Sequence, residues 1–231
     1  MRATAIVPVK RFAAAKRRLA AGIPDERREA LVAAMLEDVL EAIGEARAVE
    51  RTIVVSAEPR AAAAARAVGA EVVPDPDEGG RSGPSNAAAP GVEGGSGGHS
   101  RAALAGIARA EAGGASCVVL LPGDCPLLEP RELDRLLTGV PGHYVAVVPD
   151  RHGTGTNALV LSPPSAIRPA FGEGSCARHV AAAREAGVPH AVEELASLAL
   201  DLDTPADVVA LTRELEKRPG RAKRTAKALG P

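Results

Sequence analysis

Short β-branched runs alternate with Ala- and Leu-rich helical patterns from one end of the chain to the other, the sign of a mostly parallel sheet wrapped by helices on both faces. Strands are predicted near Thr4–Val9, Thr52–Ser56, Glu71–Val73, Cys117–Leu121, Tyr144–Val148, Asn157–Leu161 and Leu198–Leu202, a seven-stranded α/β sheet. The clearest helix is Asp25–Ile43, where Leu31, Val32, Met35, Leu36, Val39, Leu40 and Ile43 form one stripe; Asp25 is placed to cap it and Gly44 to end it. A last helix begins at Thr204 as N-cap, with Pro205 in its first turn and Asp207 completing a capping box.

Two segments break the alternation. Of the 24 residues from Asp77 to Ser100, 14 are Gly, Ser or Pro, so burial cannot repay their ordering entropy and a flexible insertion, or a lid, is expected there. From Arg218 to Pro231 the chain carries five basic residues and no acid, which reads as a disordered, solvated tail over 218–231. The remainder, 1–217, reads as a single domain: 231 residues with 46% hydrophobic side chains close one substantial core.

Composition removes several function classes. With no Trp, one Tyr, two Phe and a net charge of -1, the chain has neither stacking platforms nor global attraction for a polyanion, so nucleic acid is not an expected partner. Cys117, Cys125 and Cys176 show no Cys-x-x-Cys spacing and read as small buried residues in a reducing cytoplasm. No signal-peptide pattern and no long apolar run supports export or membrane insertion.

The candidate chemistry lies where strands end. The first strand runs through Pro8 into a loop bearing Lys10, Lys16, Arg17 and Arg18; cations and backbone N–H groups at the carboxyl end of such a strand suit phosphates, although a solvated loop would look alike. No Gly-x-Gly-x-x-Gly or Gly-Lys-Ser/Thr motif is present. Leu120–Leu127 is a buried strand ending in a Pro-bracketed turn that holds Asp124. Asp201 and Asp203, at i and i+2, would face the same way on a strand, about 7 Å apart. Their repulsion, about 2–3 kcal/mol at an effective dielectric near 20, demands a compensating partner. A hard all-oxygen Mg²⁺ site with Asp124 would supply one, while an exposed strand end before the Thr204 cap is the alternative. The loop Asp150–Asn157 offers hydroxyls and close backbone approach, or a plain turn. At Phe171–His179, Gly172 and Ser175 open a helix whose N-terminus, with Arg178 or His179 adding charge, suits an anion; Ser175 could equally be only an N-cap. His99, His143, His152 and His190 show no ligand spacing and read as surface or loop histidines.

Taken in order, Pro8-Val9-Lys10 with Lys16-Arg17-Arg18-Leu19, Leu121–Leu127, Gly155–Leu159, Phe171-Gly172-x-x-Ser175-x-x-x-His179 and Asp201-Leu202-Asp203-Thr204-Pro205-x-Asp207 resemble the 2-phospho-L-lactate and phosphoenolpyruvate guanylyltransferase family of coenzyme F-420 biosynthesis, over about Ala3–Val209. The resemblance implies a Rossmann-like nucleotidyltransferase fold of the nucleotide-diphospho-sugar transferase type. It also implies transfer of GMP from GTP to the phosphate of a three-carbon phospho-acid, phosphoenolpyruvate or 2-phospho-L-lactate, with release of pyrophosphate. By the same resemblance Asp124, Asp201 and Asp203 hold Mg²⁺, with Asp124 and Lys16 catalytic. Thr156, Asn157, Gly172, Ser175 and His179 meet the acceptor, and Pro8, Lys10, Lys16 and Ser100 meet the nucleotide. The family's Leu-Asn pair opening the helix after the third strand is replaced here by His99–Leu104, where Ser100 or Arg101 stands in for the Asn. Other readings keep the chemistry with a sugar phosphate or molybdopterin as acceptor, or make the chain a non-catalytic nucleotide-binding subunit. A labile nucleotidylated product also makes docking to a downstream transferase an expectation; the sequence shows no interface for it and no oligomeric state.

Overall fold

In the computed structural model, residues 2–19, 23–77, 96–218 and 220–230 are described. The sheet contains β1 (Ala3–Pro8), β2 (Val49–Val55), β3 (Glu71–Val73), β4 (Val118–Leu120), β5 (Tyr144–Pro149), β6 (Thr156–Ser162) and β7 (His190–Val192), in the order β3-β2-β1-β4-β6-β5-β7. It is mixed rather than purely parallel: β6 runs antiparallel to both β4 and β5, and the other pairings are parallel. The helices are α1 (Asp25–Glu45), α2 (Pro59–Ala67), α3 (Ser96–Ala112), α4 (Pro130–Leu137), α5 (Ser175–Glu185), α6 (Pro205–Lys217) and α7 (Lys223–Leu229).

Strand alternation divides the core between the two faces of the sheet. On β1, Ala3, Ala5 and Val7 pack with α1, α2 and α4 through Met35, Leu36, Leu40, Ala61 and Leu133. Ile6 faces the opposite layer with Ala102, Ala103 and Ile107 of α3 and Ala183 of α5. Fully burying each large side chain of this kind is worth about 1.5–3 kcal/mol, so both faces of β1 are held firmly. The approach of α3 to β1 depends on Gly106, because a Cβ there would stand 2.4 Å from Ile6 Cγ2.

Strand order reverses between β1 and β4: from β1 the chain builds outward through β2 and β3, and from β4 it builds the other way. The crevice above such a reversal is where open α/β sheets bind ligands. Because β6 is antiparallel, its first residue, Thr156, lies at the same end of the sheet as the carboxyl ends of β1 and β4.

The structure corrects four expectations. Leu198–Leu202 is not a strand; the seventh strand is His190–Val192, which occupies the outer side of β5. The backbone of the 198–202 segment bonds elsewhere: the Leu198 carbonyl accepts from Asn157 Nδ2 at 2.7 Å, and the Ala199 carbonyl accepts from the Arg151 N–H at 3.0 Å. The expected flexible stretch 77–100 is partly ordered, since α3 already begins at Ser96 and Asp77 pairs with Lys10 and Arg101; residues 78–95 lie outside the described set. The expected disordered tail 218–231 contains α7, whose Thr225 is fully buried. Its amide N–H donates to Asp38 Oδ2 of α1 at 2.8 Å, and Arg224 pairs with Glu37, Asp38 and Glu41. Finally, Asp25 does not cap α1: Pro24 holds that position, Asp25 sits in the first turn bonded to Arg28, and the helix runs past Gly44 to Glu45. The capping box at α6 forms as the sequence predicts, with Thr204 and Asp207 each bonding the other's backbone N–H.

Candidate active site

A cleft of about 850 Å³ opens over the β1/β4 reversal. It gathers residues far apart in sequence: Pro8 at the end of β1, Lys10 and Lys16 from the loop after it, Asp124 after β4, Thr156 at the start of β6, Gly172 just before α5 and Ser175 at its start. Asp201 and Asp203 stand before α6 on its rim. A smaller hollow of about 500 Å³ beside α4 and β7 is lined by Glu132, Arg135, Tyr144 and Glu193 and contains none of the residues singled out from sequence.

Lys16 occupies the centre of one wall. Its Nζ donates to Asp124 Oδ2 and, at 2.6 Å, to Asp203 Oδ1, and its side chain is only 9% exposed. Burial alone would lower its pKa, but the two carboxylates outweigh burial and the net shift is upward, so Lys16 is a fixed cation. Its backbone lies in the left-handed region at φ 54°, which costs an L-residue about 1–2 kcal/mol. The ion-pair network offsets that strain, and the strain places the ammonium between the carboxylates. Burial, followed by the Asp124 and Asp203 charges, raises the pKa of Asp201.

These contacts alter the metal expectation. All three aspartates face one cleft, but no three His, Cys, Asp or Glu side chains among the described residues group closely enough to hold a metal ion by themselves. The Lys16 ammonium already supplies the positive charge shared by Asp124 and Asp203. The donor set is nonetheless all hard oxygen, as Mg²⁺ requires.

Lys10 is not a free phosphate-binding cation in this state. Its ammonium is held by the buried Asp75 at 2.8 Å and by Asp77 at 3.5 Å. Gly98 permits this arrangement near the start of α3, because a Cβ there would stand 2.9 Å from Asp77 Oδ2.

The opposite wall is a hydroxyl cradle. Ser175 Oγ and Thr156 Oγ1 are 3.1 Å apart, and Thr156 Oγ1 is 3.0 Å from His179 Nδ1. Gly172 has φ 113°, a conformation that favours glycine, and its carbonyl accepts the Ser175 N–H at 3.0 Å. Asp150 shapes the approach to Thr156 by accepting the N–H groups of His152, Thr154 and Gly155; a Cβ on Gly155 would lie 2.6 Å from Asp150 Oδ2.

Three residues play other parts than expected. His179 is fully buried behind Thr156 instead of lining the cleft, and burial, with Arg178 adding to it, pushes its pKa down to about 4. Arg178 spends its guanidinium on the carbonyls of Ala170, Phe171 and Glu173. Asn157 lines the cleft while its amide Nδ2 also donates to the Leu198 carbonyl at 2.7 Å. Ser100 Oγ accepts the Phe171 N–H at 3.1 Å, tying α3 to the loop that carries Gly172.

His99, set aside as a loop histidine, instead lies in α3 and on the cleft wall; burial lowers its pKa. Its ring meets Phe171 edge-on at 5.2 Å, and Phe171 meets His179 at the same distance. The Gly- and Ser-rich residues before it hid the helix that carries it. Asp207 and Arg151 also line the cleft; Arg151 Nη2 donates to Asp207 Oδ1, bridging the loop before Thr156 to α6. The capping-box pattern was the available signal for Asp207.

A cleft at a sheet reversal, with cation and carboxylates on one wall and neutral anion donors on the other, can hold two phosphorylated molecules side by side. Relatives and the matching family model make this fold and cleft those of a nucleotidyltransferase. A family model described as MobA-like NTP transferase domain matches residues 32–216. A phosphoenolpyruvate guanylyltransferase of Conexibacter woesei is 43% identical over 224 residues, covering 96% of this chain and 92% of that protein. A 3-phospho-D-glycerate guanylyltransferase of Phenylobacterium zucineum is 38% identical, covering 91% of this chain and 90% of its own length. Among solved structures, a nucleotide-diphospho-sugar transferase of Desulfovibrio desulfuricans superposes with a TM-score of 0.71 at 15% identity, covering 99% of this chain and 94% of that one. The chain belongs to the guanylyltransferase family of MobA-like NTP transferases, enzymes that move a guanylyl group from GTP.

Proposed function

We propose that the acceptor is a three-carbon phospho-acid, with phosphoenolpyruvate ahead of 2-phospho-L-lactate and 3-phosphoglycerate, and that the reaction serves coenzyme F-420 biosynthesis. The observation that carries the reading is that one cleft is lined both by the Lys16–Asp124–Asp203 cluster and by the Thr156–Ser175–Gly172 cradle. Relatives named phosphoenolpyruvate guanylyltransferase in Conexibacter woesei and Sphaerobacter thermophilus support the choice of acceptor.

In this reading the acceptor's phosphate oxygen attacks the α-phosphorus of GTP. A new P–O bond forms, the bond to the β-phosphate breaks, and pyrophosphate leaves with its electron pair. The attacking phosphate is already anionic, so no protein base is needed, and catalysis consists of positioning and charge neutralisation. Lys16 meets the developing charge on the triphosphate, while Thr156, Ser175 and the Gly172 turn hold the acceptor. Asp124 and Asp203, with Asp201 beside them, would hold Mg²⁺ together with phosphate oxygens. When bound, that ion neutralises triphosphate charge and orients the leaving group.

The three cysteines are buried and unpaired, which favours the cytoplasm as the site of action. Among the described residues no helix is long and apolar enough to cross a membrane. The product joins two phosphomonoesters through a P–O–P phosphoanhydride, and direct hand-over of this labile product to the next transferase belongs to the same reading. Pyrophosphate release with GTP, ATP, CTP and UTP against phosphoenolpyruvate, 2-phospho-L-lactate and 3-phosphoglycerate tests it. Release with GTP and phosphoenolpyruvate is the expected result; preference for another acceptor would displace the assignment.

A further inference from the structure

We propose that His179 is a positioning residue which orients the Thr156–Ser175 hydroxyl pair so that one O–H proton faces the anionic acceptor; this rests on the acceptor reading above. The backbone N–H of Ala170 lies 2.8 Å from His179 Nε2. An amide N–H can only donate, so Nε2 must present its lone pair. The ring is fully buried, its hydrogen-bond partners among the described residues include no carboxylate, and Arg178 is its neighbouring charge, all of which keep the imidazole neutral. The single ring proton is therefore on Nδ1, which donates to Thr156 Oγ1 at 3.0 Å.

The consequence lies in the next bond. Thr156 and Ser175 share one hydrogen bond at 3.1 Å, which uses one of their two hydroxyl protons. The other is not spent on His179, because that contact is already filled by the ring's own proton, and no protein acceptor takes it among the described residues. Both residues line the cleft, so the remaining proton is available to a phosphate or carboxylate oxygen. The opposite tautomer would reverse the ring contact alone: Ser175 would still donate to Thr156, but Thr156 would donate to Nδ1, and lone pairs would face the incoming anion. The Ala170 N–H thus sets the donor polarity of the cradle through His179. The edge-on contact of Phe171, itself tied to Ser100 of α3, holds the ring in plane for both bonds.

The test separates polarity from packing. His179→Asn keeps an N–H donor where Nδ1 lies, and His179→Leu removes it. The expected result is a rise in the KM for phosphoenolpyruvate of about 10- to 100-fold in His179→Leu, the range of one hydrogen bond to a charged group, with the KM for GTP nearly unchanged and most of the loss recovered in His179→Asn. Adding His179→Leu to Thr156→Val should cost little beyond Thr156→Val alone, because His179 acts through that hydroxyl. Equal losses for both substrates, or no recovery in His179→Asn, would overturn the proposal. Ring-nitrogen NMR on the unliganded wild type decides the point independently of turnover. A His179 ring protonated on Nδ1 alone at pH 7 supports the proposal, and protonation on Nε2 overturns it. Wild-type inactivity toward every phospho-acid would remove the acceptor assigned above and leave this tautomer result to stand or fall alone.

Discussion

Asp207 Oδ2 accepts the backbone N–H of Asp203 at 2.9 Å, so the cap of α6 also fixes the residue whose carboxylate reaches Lys16. The same oxygen accepts from the Thr204 N–H and hydroxyl, and the other oxygen of Asp207 pairs with Arg151. Asp207 is 3% exposed, and burial by itself would raise its pKa, yet the bonds from the 203–204 backbone and Thr204, with the Arg151 charge, hold it below the usual carboxylate range. One side chain therefore joins helix initiation, the carboxylate wall and the loop that leads to Thr156.

Asp207→Ala is expected to lose the cap and the Asp203 anchor together, destabilising the fold by about 1–2 kcal/mol and lowering kcat about tenfold. Thr204→Ala removes the capping hydroxyl but leaves the Asp203 N–H bond intact. Chemical denaturation with steady-state kinetics should show both variants destabilised and only Asp207→Ala slow; equal kinetics in the two would dismiss the anchoring role.

Asp124→Asn and Asp203→Asn each remove one carboxylate from the Lys16 ammonium and from the proposed Mg²⁺ donors. Each should reduce turnover about 10²- to 10³-fold, the scale of losing one preorganised electrostatic contact, while far-ultraviolet circular dichroism stays native. Normal Mg²⁺-dependent pyrophosphate release in both variants would end the assignment.

Asp38 is 5% exposed and accepts the N–H groups of Arg224 and Thr225 at the start of α7. Asp38→Ala leaves those donors unsatisfied and should cost about 1–3 kcal/mol. Removing residues 219–231 should likewise lower the thermal midpoint, because α7 covers α1. No α7 residue lines the cleft, so KM values should change little. A truncated chain with an unchanged midpoint would return this segment to the status of a loose tail.

His179 titrates near its ordinary 6.5 when unfolded and at about 4 when folded. Between those values the unfolded chain binds the extra proton, so the stability linked to the neutral ring is complete above pH 6.5 and is lost as pH falls toward 4. The shift corresponds to on the order of 3 kcal/mol across that window. Denaturation of wild type and His179→Asn from pH 7 to pH 4 should show the steeper loss in wild type, and parallel curves would remove His179 as its source.

Much of the architecture was legible in one dimension because it rests on local periodicity. The apolar runs at Ala3–Pro8 and Tyr144–Pro149, the stripe of α1 and the capping box at Thr204 are short-range patterns, and six of the seven strands, with α1 and α6, formed where they indicated. The missing strand at Leu198–Leu202 had the right composition, yet its carbonyls found Asn157 and Arg151, partners no local pattern announces. The tail misled for a similar reason. Its basic residues look solvated until the acidic Glu37, Asp38 and Glu41 of α1 come opposite them.

By itself the chain's order of residues determined six of the seven strands, the α1 and α6 helices and which types of side chain stand at strand ends, since backbone preference and hydrophobic period act within a few residues. Only the tertiary structure decided that Lys16 would neutralise Asp124 and Asp203, that Lys10 would be drawn to Asp75, and that His179 would lie behind Thr156 as a neutral donor. Those outcomes depend on desolvation and on charges brought within about 3 Å across 65 to 187 positions of sequence, and such energies exist only once the sheet has brought its distant loops to one edge.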